Sequence, residues 1–126
     1  MREDNQIVKD SKAFAVRIVK LYQYLTNAKK EFVMSNQILR SGTSIGSNIY
    51  EAVFAYSKKD FVNKLTVSLK EANETKFWLE LLHETDYIND NEYESIYNDC
   101  TKIVGTLVNI VKTSKNNIYW IIAFEF

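Results

Sequence analysis

Apolar residues recur at spacings of three and four along four stretches of the chain, and short polar segments separate these stretches. Such a repeat places the apolar side chains on one face of an α-helix. The stretches cover about residues 9–27, 33–56, 58–85 and 91–114, with residue 35 an alternative start for the second. Short connections favour antiparallel neighbours. The pattern therefore predicts an all-α protein, an antiparallel up-and-down four-helix bundle within residues 1–117.

Two polar residues mark the expected starts of helices. Ser57 stands three residues before Asp60, and Asn89 precedes the fourth apolar stripe. Side-chain oxygens at such positions accept hydrogen bonds from backbone N–H groups that the first helical turn leaves unpaired. We therefore expect Ser57 and Asn89 to be the N-caps of the third and fourth helices.

The second predicted helix contains two glycines one turn apart, Gly42 and Gly46. Each glycine in a helix interior costs about 1 kcal/mol relative to alanine, so a compensating contact is expected. Close packing of the backbone against another helix would supply it. The alternative, a phosphate-binding loop, requires a preceding strand and a Gly-Lys-Ser/Thr ending, and the sequence around Gly46 has neither.

The overall composition agrees with a packed helical domain. Hydrophobic residues make up 46% of the chain and charged residues 25%, while there are three glycines and no proline. These values exclude a disordered chain and a fold of many short strands. The single cysteine, Cys100, lies on the apolar stripe of the fourth helix and cannot form an internal disulfide. The first residues lack an apolar leader, so a cytoplasmic location is expected.

The last residues, 118–126, form an apolar tail rich in aromatic and β-branched side chains. Its longest uninterrupted apolar run, residues 118–124, is far shorter than the roughly 20 residues that span a membrane. We therefore expect no membrane-spanning segment. The tail could pack on the bundle, pair with the tail of a second copy, or have no functional role, and its sequence does not choose among these.

Charged residues are unevenly distributed although they sum to zero. Residues 1–70 carry a net charge of +6 and residues 71–126 carry −6. A local basic patch would bind phosphates through release of their counterions, and Tyr22, Tyr24 and Tyr56 could stack on bases. The alternative is a solvated face that complements an acidic neighbour. The nucleic-acid-binding candidates are Arg17, Lys20, Lys29, Lys30, Lys58, Lys59 and Lys64.

The third predicted helix has more apolar surface than a single bundle needs. Counted at 100° per residue, Phe61, Leu65 and similar residues form the expected core arc, and Val67, Trp78 and Leu81 form a second arc. A lone bundle would leave this second arc in water, and contiguous apolar surface of this kind usually marks an interface. We expect these three residues to lie in an oligomer interface, with packing under the tail as the alternative.

No residue pattern predicts catalysis. Glu80 and His83 show the Glu-x-x-His spacing of di-iron bundles, but such sites need a second copy of the motif and two further glutamates. His83 is the only histidine, which also argues against a Ser/His/Asp or Cys/His site. Carboxylate pairs such as Glu71 with Glu74 fit a solvated helix face. We therefore expect no enzymatic activity, no metal and no cofactor.

Several motifs of the chain together resemble a known bacterial family. They are residues 37–52, residues 57–61, residues 68–75 and residues 78–82. The chain resembles the four-helix bundle proteins of intervening sequences in large-subunit rRNA genes, a family that includes relatives of the accessory variability determinant of diversity-generating retroelements. The resemblance covers about residues 8–115.

The resemblance implies a homopentamer whose retroelement members bind nucleic acid and a reverse transcriptase through basic surfaces. Arg40, Ser44, Asn48 and Glu51 recur at helical spacing as a polar strip on the second helix, which could form a buried hydrogen-bond network or be an exposed polar face. The resemblance implies an assembly or structural role for this strip. The family motif residues are Arg40, Ser44, Gly46, Asn48 and Glu51.

Together these observations predict a non-enzymatic, self-assembling helical bundle that acts as a nucleic-acid-binding accessory factor for RNA or DNA. The alternative is a structural or adaptor oligomer that binds a protein partner through its apolar or acidic surface, without nucleic acid. Salt distinguishes the two, since phosphate contacts weaken steeply with ionic strength and apolar contacts do not.

Overall fold

Four α-helices contain most of residues 1–2 and 5–115, which are the residues that the computed structural model describes. The helices are α1 (Gln6–Asn27), α2 (Met34–Val53), α3 (Lys58–Glu84) and α4 (Asp90–Ser114). Consecutive helices pack together, α1 and α4 close the bundle along a looser seam, and no strand occurs in the described residues. The predicted four-helix bundle is confirmed. The tail at 118–126 and the predicted domain end at residue 117 lie outside the described residues.

The two glycines of α2 bring this helix close to α1. A Cβ atom at Gly42 would lie 2.7 Å from Ile18 Cγ1, and one at Gly46 would lie 3.2 Å from the backbone oxygen of Ser11. Ile18 follows Ser11 in α1 while Gly42 precedes Gly46 in α2, so the two helices run antiparallel. The expected close backbone packing is confirmed.

Small polar side chains join α2 to α3 inside the core. The Ser68 hydroxyl donates to the Ile45 carbonyl at 2.8 Å, and the Thr75 hydroxyl donates to Ser41 Oγ at 2.9 Å. All three hydroxyl residues are fully buried, so these bonds satisfy polar groups that would otherwise be costly to bury. The pairing order shows that α2 and α3 also run antiparallel.

The apolar core follows the predicted stripes. Every helix contributes large side chains that are almost completely inaccessible to solvent, as expected for amphipathic helices facing one centre. The largest of them are Phe14, Ile18, Leu25, Ile38, Ile45, Ile49, Phe61, Leu65, Leu79, Leu82 and Leu107.

Side-chain caps fix the starts of three helices. Ser57 Oγ accepts from the Asp60 N–H at 3.0 Å, and Asn89 forms a reciprocal capping box with Glu92. Both predicted N-caps are confirmed. Asn5, which the sequence pattern did not single out, accepts from the Ile7 N–H, and α1 therefore begins at residue 6, three residues before the predicted start.

The predicted end of α2 at residue 56 is wrong. The helix ends at Val53, and Tyr56, assigned to the apolar stripe, is 89% exposed. The Phe54 N–H bonds to the carbonyls of Glu51 and Ala52, which closes the last turn before the chain reverses toward the Ser57 cap. The chain needs these residues for the reversal, so they cannot continue the helix.

Candidate nucleic-acid interface

Charge separates along the long axis of the bundle. The middle of the bundle lies near Ile18, Gly42, Ala72 and Cys100, where Gly42 faces Ile18 and the Cys100 thiol donates to the Ala72 carbonyl at 3.5 Å. We call the described residues on one side of this level, 1–2, 5–17, 43–71 and 101–115, the basic half. The opposite side, residues 18–42 and 72–100, is the acidic half.

The two halves differ strongly in their content of charged residues. The described residues of the basic half include eleven Lys and Arg but four Asp and Glu. The acidic half includes five Lys and Arg but nine Asp and Glu. Antiparallel connections bring the first part of α1, the last part of α2, the first part of α3 and the last part of α4 to one end. This separation is therefore different from the one that the sequence shows between residues 1–70 and 71–126.

The seven predicted nucleic-acid-binding residues do not form a single patch. Lys58, Lys59 and Lys64 belong to the basic half, and Arg17 and Lys20 lie near the middle of α1. Lys29 and Lys30 lie in the link between α1 and α2, at the opposite end of the bundle.

The distance between Lys58 and Lys59 at one end of the bundle and Lys29 and Lys30 at the other follows from the length of α3. Its 27 residues rise about 1.5 Å each, which gives roughly 40 Å. A single local patch that includes both ends is therefore contradicted by the fold.

Several of the predicted basic side chains already have protein partners. Arg17 bonds to Asp99 at 2.6 Å and to the Ser95 hydroxyl at 2.9 Å, across the seam between α1 and α4. Lys64 lies 3.5 Å from the Glu51 carboxylate. These contacts assign Arg17 and Lys64 a structural role in addition to any role in binding.

Other predicted nucleic-acid-binding residues contact aromatic or backbone groups. The Lys29 ammonium lies over the ring of Tyr24, 5.8 Å from its centroid, which places this tyrosine away from the basic half. The Lys58 ammonium donates to the Lys115 carbonyl at 3.0 Å and thereby links the start of α3 to the end of α4. Among the tyrosines considered for stacking, Tyr22 is half-buried and Tyr56 projects from the basic half.

The predicted polar strip joins α2 to α3 on the bundle surface. Arg40 forms ion pairs with Glu71, at 3.1 Å, and with Glu74. Ser44 Oγ donates to the Arg40 carbonyl, and the Asn48 amide donates to the Ser44 carbonyl at 2.8 Å. Arg40 is exposed and Ser44 and Asn48 are half-buried, so a fully buried network is excluded.

The second arc of α3 is less exposed than its position on a helical wheel predicts. Trp78 is half-buried against the core, and its indole N–H donates to Glu74 at 3.1 Å. Leu81 is also half-buried, whereas Val67 is 42% exposed. Phe77, which the arc omitted, is 56% exposed and packs edge-on against Trp78. The expectation that a lone bundle leaves the whole arc in water is therefore wrong for Trp78.

The residues considered for catalysis have structural partners. Burial raises the pKa of the Cys100 thiol to about 12, as expected for a core side chain. His83 Nε2 lies 2.7 Å from Asp90 and its ring stacks on Tyr93, while Glu80 accepts from the Tyr97 hydroxyl at 3.2 Å.

Glu80 and His83 therefore contact different residues. Desolvation raises the pKa of both Tyr93 and Tyr97, and nearby carboxylates raise it further.

No group of His, Cys, Asp and Glu in the described part of the chain is arranged to hold a metal ion. No helix there is long and apolar enough to cross a membrane.

Comparisons with known proteins agree with this architecture. A family model described as 23S rRNA-intervening sequence protein matches residues 3–109. A crystal structure at 1.70 Å, of a protein with unknown function from the S23 ribosomal protein family of Bacteroides thetaiotaomicron VPI-5482, shares 60% sequence identity with this chain. The match has a TM-score of 0.86 and covers 88% of this chain and 99% of the other. No protein of curated function matches.

Proposed function

Because the chain belongs to the family of 23S rRNA-intervening sequence proteins, we propose that it is a cytoplasmic, non-enzymatic accessory factor that binds nucleic acid through its basic half. The observation that carries the proposal is the separation of charge along the bundle. Eleven Lys and Arg against four Asp and Glu in the described part of one half create a local positive field in a chain of zero net charge.

The neutral net charge does not oppose this function, because phosphate binding depends on the local field. Each lysine that neutralises a phosphate releases a condensed counterion. The outer end of the acidic half lies roughly 40 Å from the basic end of the bundle, several times the Debye length of about 8 Å at physiological ionic strength. Its carboxylates therefore contribute little repulsion at the basic end.

Self-association is the second part of the proposal. Val67 and Phe77 of α3 are exposed apolar side chains, and burial of such side chains favours association. The resemblance implies a homopentamer, and we adopt this stoichiometry. Assembly would multiply the number of basic halves that one nucleic acid contacts, which increases the overall affinity.

The test of nucleic-acid binding is fluorescence anisotropy with structured RNA and with duplex DNA, from about 50 to 200 mM salt. The variant Lys58→Gln with Lys59→Gln removes two charges from the basic half, and Lys29→Gln with Lys30→Gln removes two from the opposite end. We expect the first variant to bind more weakly and with a shallower salt dependence, and the second to bind as the unmodified chain does. Equal losses in the two variants, or no binding at about 50 mM salt, would contradict the proposal.

One observation favours the alternative of a protein adaptor. Phe32 and Val33, in the link between α1 and α2, are exposed beside the acidic half. An exposed apolar site suits an apolar protein segment. An adaptor of this kind would keep its affinity for the partner when Lys58 and Lys59 are neutralised.

A further inference from the structure

A groove between α1 and α2 opens on the basic half. It has a volume of about 770 Å³, within the range of about 300–1,000 Å³ that is usual for ligand sites. Ala15 and Gly46 line its floor, and Gly46 allows α1 to approach so closely that a Cβ atom there would meet the Ser11 backbone. A groove of this volume can hold a planar ring.

One edge of this α1–α2 groove carries an aromatic ring that a second aromatic ring supports. Tyr50 lines the groove and is 51% exposed, and Phe54, one turn later, is 59% exposed. Their rings pack edge to face with centroids 5.4 Å apart, which holds the Tyr50 ring in place while part of it stays accessible. A half-exposed aromatic ring at the edge of a groove is a surface on which a flat ring can stack.

Lysines form the other edge. Lys9 and Lys12 line the groove from α1, are exposed, and have no ion-pair partner among the residues that the structure describes. Their charge is therefore available to a ligand. The single carboxylate in the lining, Glu51, lies 3.5 Å from the Lys64 ammonium, which offsets its repulsion of an anion.

We propose that the α1–α2 groove binds single-stranded nucleic acid, with a base stacked on Tyr50 and the adjacent phosphates held by Lys9 and Lys12. An aromatic side chain beside a positive groove is the arrangement that binds unpaired strands, because every base has a stacking face. Bases inside a duplex are already stacked on each other and cannot reach the tyrosine. This inference rests on the proposed nucleic-acid function and specifies the kind of strand and its site.

The test uses an oligothymidylate of about 12 nucleotides, within the usual range of site sizes, labelled for fluorescence anisotropy. We expect Tyr50→Ser to weaken binding at least about fivefold, the lower limit for loss of one stacked base. Tyr50→Trp, which preserves a stacking surface, should restore the affinity. The matched control is Tyr24→Ser, which removes an exposed tyrosine that the fold places in the acidic half, away from the groove, and should change the affinity less than about twofold.

A second readout separates stacking from charge. Lys9→Gln with Lys12→Gln should reduce the slope of log affinity against log salt by about 1.4, which is roughly 0.7 for each lost phosphate contact on a single strand. Tyr50→Ser should leave that slope unchanged. Circular dichroism should be the same for all variants, because the four substituted side chains are exposed.

The outcomes distinguish this inference from the proposed function. If Tyr50→Ser and Tyr24→Ser bind the oligothymidylate equally well, the groove is not the site, whether or not neutralising Lys58 and Lys59 still weakens binding to structured RNA. If duplex DNA loses as much affinity as the single strand in Tyr50→Ser, recognition of unpaired bases is wrong. Absence of binding to every nucleic acid would overturn both proposals.

Discussion

The three glycines of the chain differ in the space around them, although all of them lie in helices. A methyl group at Gly42 would overlap three side-chain atoms of Ile18, which is fully buried and cannot move toward solvent. At Gly105 nothing lies within 4 Å of the position of a Cβ atom. Helix propensity favours alanine at both positions by about 1 kcal/mol. Packing therefore decides whether each substitution raises or lowers the free energy of unfolding.

We predict that Gly42→Ala lowers the free energy of unfolding by up to about 2 kcal/mol, since overpacking costs about 1–3 kcal/mol and the gain in propensity offsets part of it. Gly105→Ala is the matched control and should raise it by about 1 kcal/mol. Urea unfolding followed by circular dichroism measures both. Stabilisation by Gly42→Ala would mean that Ile18 repacks at little cost.

A buried carboxylate determines where α2 begins. Glu31 is 8% exposed, and its two oxygens accept from the backbone N–H groups of Val33, Met34 and Ser35 at 2.8–3.1 Å. The Ser35 hydroxyl donates back to the Glu31 carbonyl. A negative group beside the unpaired N–H groups of a helix start is stabilising. Glu31 therefore acts as the cap that α2 otherwise lacks.

We predict that Glu31→Gln lowers the free energy of unfolding by about 1–3 kcal/mol, because the amide has a single acceptor oxygen and turns an N–H₂ group toward backbone donors. Glu94→Gln changes an exposed carboxylate on α4 in the same way and should have an effect within about 0.5 kcal/mol. Thermal and urea unfolding of both variants provide the comparison. Equal stability of the two would show that the Glu31 carboxylate is dispensable as a cap.

The elements were predictable from sequence where local chemistry determines them. Periodicity gave all four helices, and the hydroxyl and amide caps at Ser57 and Asn89 gave two of their starts. In the sequence, Glu31 is one residue of a charged link between helices. Its capping role could not be predicted, because that role depends on the backbone turn that follows it. Tyr56 fits the helical period but lies in the reversal between α2 and α3, where the neighbouring cap takes precedence over periodicity.

The basic half, unlike the helices, depends on the whole molecule. Antiparallel packing brings together Lys9 and Lys12 of α1, Lys58 and Lys59 of α3, and the last turn of α4. A sum over residues 1–70 instead includes Lys29 and Lys30, which lie at the other end. The candidate site was therefore predictable in its residue types but not in its location, because the fold determines which lysines are neighbours.

At the scale of the assembly, we predict that Val67→Glu with Phe77→Glu disrupts self-association, since both side chains are exposed on α3 and charge there opposes burial. Light scattering should show the mass falling from that of a pentamer to that of the 14.7 kDa chain. Substitution of these two residues tests the proposed interface without disturbing the core, whereas Trp78 also packs against the core. Helical circular dichroism should stay the same.

The control for this experiment is Val16→Glu with Val108→Glu, which places the same charges on exposed valines of α1 and α4. It should leave the mass unchanged. Equal effects of the two double variants would mean that added charge alone dissociates the assembly. A monomeric unmodified chain would refute self-association directly.

The even number of antiparallel helices has a practical consequence for handling the protein. The first turn of α1 and the last turn of α4 both lie on the basic half, so an affinity tag or fluorescent domain fused at the N-terminus would start beside the lysines of both helices. A polyhistidine or acidic tag there would change the field that a binding assay measures. A label attached in the link 85–89, at the opposite end of the bundle, would report on binding while leaving that surface uncovered.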